Sequence, residues 1–221
     1  MTITQNLINL KNKLPNNVTL VAVSKTKNIA QILEAYQARQ RIFAENYVQE
    51  LVEKQKVLPK DIEWHFIGHL QSRKVKLISP FVSLIQGVDS LKLLKEINKE
   101  AKKNNRIINC LLQIYIAKEE SKFGLNEEEL KDLIEYINLN HRELNNIKIL
   151  GFMGMATFTD NQNQIKNEFI YLKNLFDNYK RQNIENSNLE VLSMGMSADY
   201  KMAIDCGSTM IRIGSSIFGE R

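Results

Sequence analysis

Cysteine is nearly absent from this chain of 221 residues, with Cys110 and Cys206 the only two. Two thiols cannot build the disulfide framework of a small secreted domain, and no paired-cysteine metal motif is present. Cys110 falls in the apolar run Ile107-Ile108-Asn109-Cys110-Leu111-Leu112, where a buried free thiol is expected. Histidine is scarce too. His65 and His69 read as sharing one strand face, but no third ligand follows at metal spacing. Apolar runs are short, and none nears the roughly 18 residues of a membrane-spanning helix. The N-terminus lacks a basic stretch followed by an apolar core, so no export signal is read and a cytoplasmic location is expected.

Excess charge is also missing. The chain carries 30 basic and 25 acidic residues, a net charge of +5. Lys99, Lys102 and Lys103 lie beside Glu96 and Glu100, the pattern of a solvated helix face. Without a basic stripe interleaved with aromatics, nucleic acid is not an expected partner, and neither is a membrane. Proline occurs only three times. Pro15, Pro59 and Pro80 each fall between apparent elements, where a residue without a backbone donor belongs.

What remains is ordinary globular material, 43% hydrophobic and 25% charged, long enough to bury a sizeable core. Short apolar segments alternate with helical periods throughout. Strands are expected at 19–24, 41–44, 63–67, 83–87, 107–117, 147–152, 189–193 and 209–213. The intervening stripes have helical spacing: Ile29, Ile32, Leu33 and Tyr36; Leu91, Leu94, Ile97 and Ala101; Ile165, Phe169, Leu172, Phe176 and Tyr179. Asn126 with Glu129 forms a capping-box signature before Leu130, Leu133, Ile134 and Ile137. Eight strand–helix alternations predict an α/β fold, a single-domain (β/α)8 TIM barrel over residues 1–221. An extra N-terminal helix is expected near 3–13. An open doubly wound sheet has the same alternation and is the structural alternative.

Lys25 is the most informative residue. It ends the apolar strand Leu20-Val21-Ala22-Val23-Ser24-Lys25, where strand alternation places Val21, Val23 and Lys25 on one face. Partial desolvation there would lower the ammonium's pKa and free an amine able to form Schiff bases. Taken alone, such a lysine is better explained by snorkelling to water.

The far end of the chain shifts that balance. Barrel enzymes bind phosphate at the loops after strands seven and eight. Here those loops are Ser193-Met194-Gly195-Met196-Ser197 and Gly214-Ser215-Ser216. Each offers glycine, a hydroxyl and an apparent helix start, with Ser197 read as preceding a helix at 198–205. A single such loop is only a cap signal; two at the expected strands form a phosphate signal. Arg212 lies within the apolar strand Met210-Ile211-Arg212-Ile213. A buried guanidinium needs a partner, either a structural carboxylate or a ligand atom at the barrel mouth. Schiff-base lysine, phosphate cup and arginine together describe a site for pyridoxal 5′-phosphate (PLP), with Arg212 facing the pyridine nitrogen. A guanidinium only donates hydrogen bonds, so it would leave that nitrogen unprotonated and the electron sink weak.

At these residues a family becomes recognisable. Val21–Thr26, Glu45–Glu50, Trp64–Ser72, Ser193–Asp199 and Arg212–Gly219 resemble, in order and over nearly the whole chain, the pyridoxal phosphate homeostasis (PLP-binding) proteins. The resemblance implies a barrel like the N-terminal domain of alanine racemase, with the cofactor held as an internal aldimine on Lys25. Arg212 would face the pyridine nitrogen; Ser197, Gly214 and Ser215 would bind phosphate; Asn46 would contact the ring. Family members usually read Phe-Gly-Glu-Asn, where this chain has Phe43-Ala44-Glu45-Asn46. Either that position needs positive φ, and alanine strains the turn, or it needs only a small side chain.

Other residues are secondary. Glu119 and Glu120 read as a solvated loop after the fifth strand, Lys122 as a candidate near the ring, and His69 as lining the mouth. Met153, Met155, Met194 and Met196 read as packing at strand ends.

The resemblance implies a non-catalytic carrier that stores, buffers or delivers PLP, with PLP-dependent apoenzymes as partners. The alternative is a small PLP-dependent amino-acid racemase. Alanine racemase completes its two-base site with a partner tyrosine and a C-terminal β domain. This sequence ends at Arg221, so that closed site is expected to be missing, and a monomer is expected. A cofactor-free Schiff-base aldolase would explain Lys25 but not Arg212.

Overall fold

The computed structural model describes residues 2–117 and 123–220. Eight parallel strands close into a barrel in chain order: β1 (Thr19–Val23), β2 (Ile42–Glu45), β3 (Glu63–Phe66), β4 (Leu84–Val88), β5 (Ile108–Gln113), β6 (Ile147–Met153), β7 (Ser187–Ser193) and β8 (Met210–Ile213). Closure is made by β8 returning to β1, with Val21 opposite Arg212 and Ala22 opposite Ile213. The (β/α)8 barrel, rather than an open sheet, is the fold.

Alternation along each strand separates two cores. Inside the barrel lie Val21, Val23, Ala44, Leu84, Leu111, Met153 and Met210. Their neighbours Leu20, Ala22, Phe43, Ile85, Cys110, Leu112, Phe152, Leu192 and Ile211 point the other way, into the layer under the helices. This is the period-two consequence of the pleat, applied to strands buried on both faces.

The helices are α1 (Ile3–Lys11), α2 (Ile29–Gln37), α3 (Val48–Val57), α4 (Val75–Ile78), α5 (Leu91–Lys103), α6 (Glu127–Leu139), α7 (Gln162–Lys180), α8 (Tyr200–Asp205) and α9 (Ser215–Phe218). The expected stripes face inward: Ile32 on α2, Leu94, Ile97 and Ala101 on α5, Ile165, Phe169, Leu172 and Phe176 on α7 are buried. The Asn126–Glu129 capping box forms in both directions. α1 is shorter than expected, its last turn handing over to Asn12.

β5 ends at Gln113, four residues before its expected limit. Beyond it Ile114 bridges Leu125, with Tyr115 N donating to Leu125 O and Leu125 N to Gln113 O. The chain there stays extended but leaves the barrel to pair with its own return. Cys110 is fully buried, and burial pushes its thiol pKa up. No helix among the described residues is long and apolar enough to cross a membrane.

Candidate functional site

A cavity of about 360 Å³ opens at the C-terminal ends of the strands. Lys25, Asn46, Ser197, Arg212, Gly214 and Ser215 all line it, with Val23, Ile67, Met155 and Met196 as apolar wall. The six residues named from sequence arrive from the ends of β1, β2, β7 and β8 and meet in one place. Lys27 also lines it, its Nζ donating to Gly219 O and Glu220 O at 3.1 Å each. Glu119, Glu120 and Lys122 lie outside the described residues.

Lys25 sits directly above Val21 and Val23 on the inner face, half-buried. It is the second residue of a β-turn closed by Lys27 N donating to Ser24 O at 3.0 Å. The third residue, Thr26, has φ 64°. Positive φ at that position marks a type II turn, where glycine is usual and a β-branched residue is strained.

Behind the turn lies Glu45, fully buried on the outer side of β2. Its Oε1 accepts from Ser24 Oγ at 2.6 Å and from Lys54 Nζ at 2.8 Å, while Oε2 has no partner among the described residues. Burial pushes its carboxyl up to about 7, with Lys54 and Ser24 opposing. One residue further, Asn46 turns to the cavity, and its Oδ1 is a buried acceptor without a partner among the described residues. Asn46 is set by a close approach: a Cβ on Gly68 would stand 2.2 Å from Asn46 O. Only glycine lets the β3 loop lie against that backbone.

The two loops after β7 and β8 converge on one hydroxyl. Gly214 N and Ser216 N both point to Ser197 Oγ, at 3.3 and 3.5 Å. Two amides aimed at one oxygen are the arrangement that holds an oxygen of an anion. The Ser197 loop itself is bent by Gly195, φ +97°, where a Cβ would meet Ala203 Cβ at 2.6 Å. Ser197 is not a helix cap as expected, because α8 begins only at Tyr200. The Asp199 carboxylate takes Met196 N at 2.6 Å, a local turn that delays the helix. Ser215 is likewise the first residue of α9 rather than the residue before it.

Arg212 is buried, and among the described residues none of its hydrogen-bond partners is a carboxylate. Nη1 donates to Ser193 O (2.9 Å) and Ser193 Oγ (2.6 Å), and Nη2 donates to Gly154 O (3.0 Å). Burial lowers its pKa to about 10, with Asp199 opposing, so it stays a cation at neutral pH. Other donors of the guanidinium have no partner among the described residues, on a side chain that lines the cavity. Below it Ser193 Oγ donates to Gln86 Oε1 at 2.7 Å, and Gln86 Nε2 lies 3.1 Å from His65 Nδ1. Burial holds His65 neutral, its pKa down to about 3.

His65 and His69 do not share a strand face. β3 ends at Phe66, so His65 stays inside the barrel while His69 stands in the loop above. There His69 Nδ1 meets Asp89 Oδ2 at 3.0 Å and its ring stacks on Phe123 at 4.0 Å. No metal-binding cluster occurs among the described residues. Ala44 lies inside regular β2 with negative φ, its methyl in the inner core. The position therefore needs a small side chain, not a left-handed turn. Sequence reading missed Ser216, whose amide joins the cup, and the Glu45–Lys54 pair.

A primary amine over an apolar wall, amides converging on one oxygen, an uncompensated guanidinium and an orphan amide oxygen fit a small phosphorylated aldehyde bearing a ring nitrogen. The family model described as alanine racemase, N-terminal domain, matches residues 1–221. The pyridoxal phosphate homeostasis protein of Haemophilus influenzae is 43% identical over 215 residues, 96% of this chain and 88% of that protein. The protein of the same name in Homo sapiens is 43% identical over 213 residues, 91% of this chain and 76% of its own length. Among solved structures, PipY of Synechococcus elongatus PCC7942 with PLP bound is similar with a TM-score of 0.89 at 32% identity. That similarity covers 99% of this chain and 100% of that one.

Proposed function

This chain belongs to the alanine racemase N-terminal domain family, among the pyridoxal phosphate homeostasis proteins, and on that premise we propose that it binds pyridoxal 5′-phosphate and serves intracellular PLP homeostasis. The observation that carries the reading is the convergence of Lys25, Asn46, Ser197, Arg212, Gly214 and Ser215 on one cavity. When bound, the cofactor supplies an aldehyde that condenses reversibly with a primary amine and releases water.

Each residue has a distinct task. Lys25 presents the amine for covalent attachment. Gly214 N and Ser216 N, with the hydroxyls of Ser197 and Ser215, hold the phosphate. Arg212 donates to the pyridine nitrogen, and because it stays charged at neutral pH it gives that nitrogen no proton-accepting partner. Asn46 contacts the ring through the Oδ1 that has no partner among the described residues. Attachment with a weak electron sink suits storage and delivery better than carbanion chemistry. In this reading the protein is a cytoplasmic monomer, one PLP-binding barrel domain over residues 1–221, and PLP-dependent apoenzymes receive its cofactor.

The test is a visible absorption spectrum before and after borohydride, with the reduced adduct located by peptide mass spectrometry. A visible band replaced by a phosphopyridoxyl group on Lys25, and lost in Lys25→Ala, is the expected result. No band after addition of PLP, or an adduct on another lysine, would overturn the reading.

A further inference from the structure

Lys54 reaches the site from outside the barrel without touching the cavity. It stands on α3, whose one other lysine, Lys56, is exposed, yet its side chain is buried and only 6% exposed. An ammonium has three N–H donors, and here each has an acceptor. These are Ser24 O at 2.7 Å, Glu45 Oε1 at 2.8 Å and Glu50 Oε1 at 2.7 Å. The same Glu50 oxygen accepts Thr26 N at 2.6 Å.

These contacts bracket a single residue. Ser24 O belongs to the peptide unit before Lys25, and Thr26 N to the peptide unit after it. One ammonium therefore fixes the first directly and the second through Glu50. Thr26 is the residue held at φ 64°, a conformation that a β-branched side chain leaves unless something restrains it. Ser24 Oγ, bound to Glu45 at 2.6 Å, ties the strand end to the same cluster. Glu45, raised to about 7 by burial, stands in the middle of it.

A purely structural ion pair would have no reason to close around both peptides of one residue. We infer that Lys54 and Glu50 are positioning residues that hold the Lys25 turn in the conformation presenting its amine to the cavity. They touch no ligand and act only through the backbone of residues 24–26. The inference rests on the proposed attachment at Lys25.

The test compares two ligands that share the phosphate and ring but differ at the reacting carbon. These are PLP and 4′-deoxypyridoxine 5′-phosphate, which has a methyl group where PLP has its aldehyde. Lys54→Met removes all three donors and keeps the side chain's length. In this variant PLP affinity should fall about tenfold, the worth of one charge-assisted hydrogen bond. The deoxy ligand should bind as to wild type within about twofold, since the phosphate cup and Arg212 are untouched. Glu50→Ala removes the oxygen shared by Thr26 N and Lys54 Nζ from a partly exposed side chain, and should show the same selective loss if Lys54→Met fails to fold. Equal weakening of both ligands, or no weakening of either, would overturn the inference. Failure of the Lys25 reading shows separately, in wild type alone, as no visible band and no preference for PLP over the deoxy ligand; the strap would then fall with it.

Discussion

Arg212 Nη1 lies 2.6 Å from Ser193 Oγ, and that hydroxyl donates in turn to Gln86 Oε1 at 2.7 Å. Among the described residues the guanidinium is thus hydrogen-bonded by neutral groups only, with Asp199 acting on it from a distance. A carboxylate in the place of Ser193 would have quenched the charge and tied it to the protein.

Ser193→Ala removes one acceptor from a buried cation and one donor from Gln86. The expected loss is about 1–3 kcal/mol of stability, as for buried hydrogen bonds that leave a polar group unsatisfied. Ser216→Ala, at an exposed side chain, should stay within about 0.5 kcal/mol. Urea denaturation of both variants checks this, and equal effects would remove the network from the energetics of the site.

The cup after β7 and β8 predicts a difference between ligands. Ser197→Ala combined with Ser215→Ala should weaken PLP far more than pyridoxal, which lacks the phosphate. The two amides at 3.3 and 3.5 Å from Ser197 Oγ remain in the variant, so phosphate binding should be reduced, not abolished. Titration with both ligands decides it; equal weakening would place the phosphate elsewhere.

Glu45 predicts a pH dependence of stability. Its carboxyl is raised from 4.5 to about 7 in the folded protein, chiefly by burial. Between those values the native state binds the proton and the unfolded chain does not, so stability falls as pH rises through that window and levels off above it. A rise of that size corresponds to about 3 kcal/mol. Glu45→Gln cannot titrate and should lose that part of the slope. Denaturation of both proteins at pH 5 and pH 8 measures it, and parallel slopes would contradict the burial of an ionisable Glu45.

The fold was legible because two periods alternate along the chain without interruption. The strand at 19–24 and the one at 209–213 each lie within a residue of their observed limits, since an apolar β-branched run has few other uses. The end of β5 was not legible. Ile114 and Ile116 continue the apolar pattern, but Ile114 pairs with the returning segment at Leu125, a tertiary fact with no local sign. The cavity residues were readable because each is a polar residue or a glycine in an apolar strand's C-terminal half or in the loop that follows it. Lys54 was hidden for the opposite reason, as one of two lysines on a charged helix. The available clue was Glu45, a carboxylate ending the buried strand Ile42-Phe43-Ala44-Glu45, which required a cation nearby.

Closure of β8 onto β1 limits how another protein can engage this one. A sheet without an edge offers no backbone ladder for a visiting strand, so neither strand addition nor edge-to-edge aggregation has a template. Recognition is left to side chains on helix faces and to the loops at the two rims. Under the proposed delivery role, a protein taking the ligand directly would meet the rim that carries Lys25.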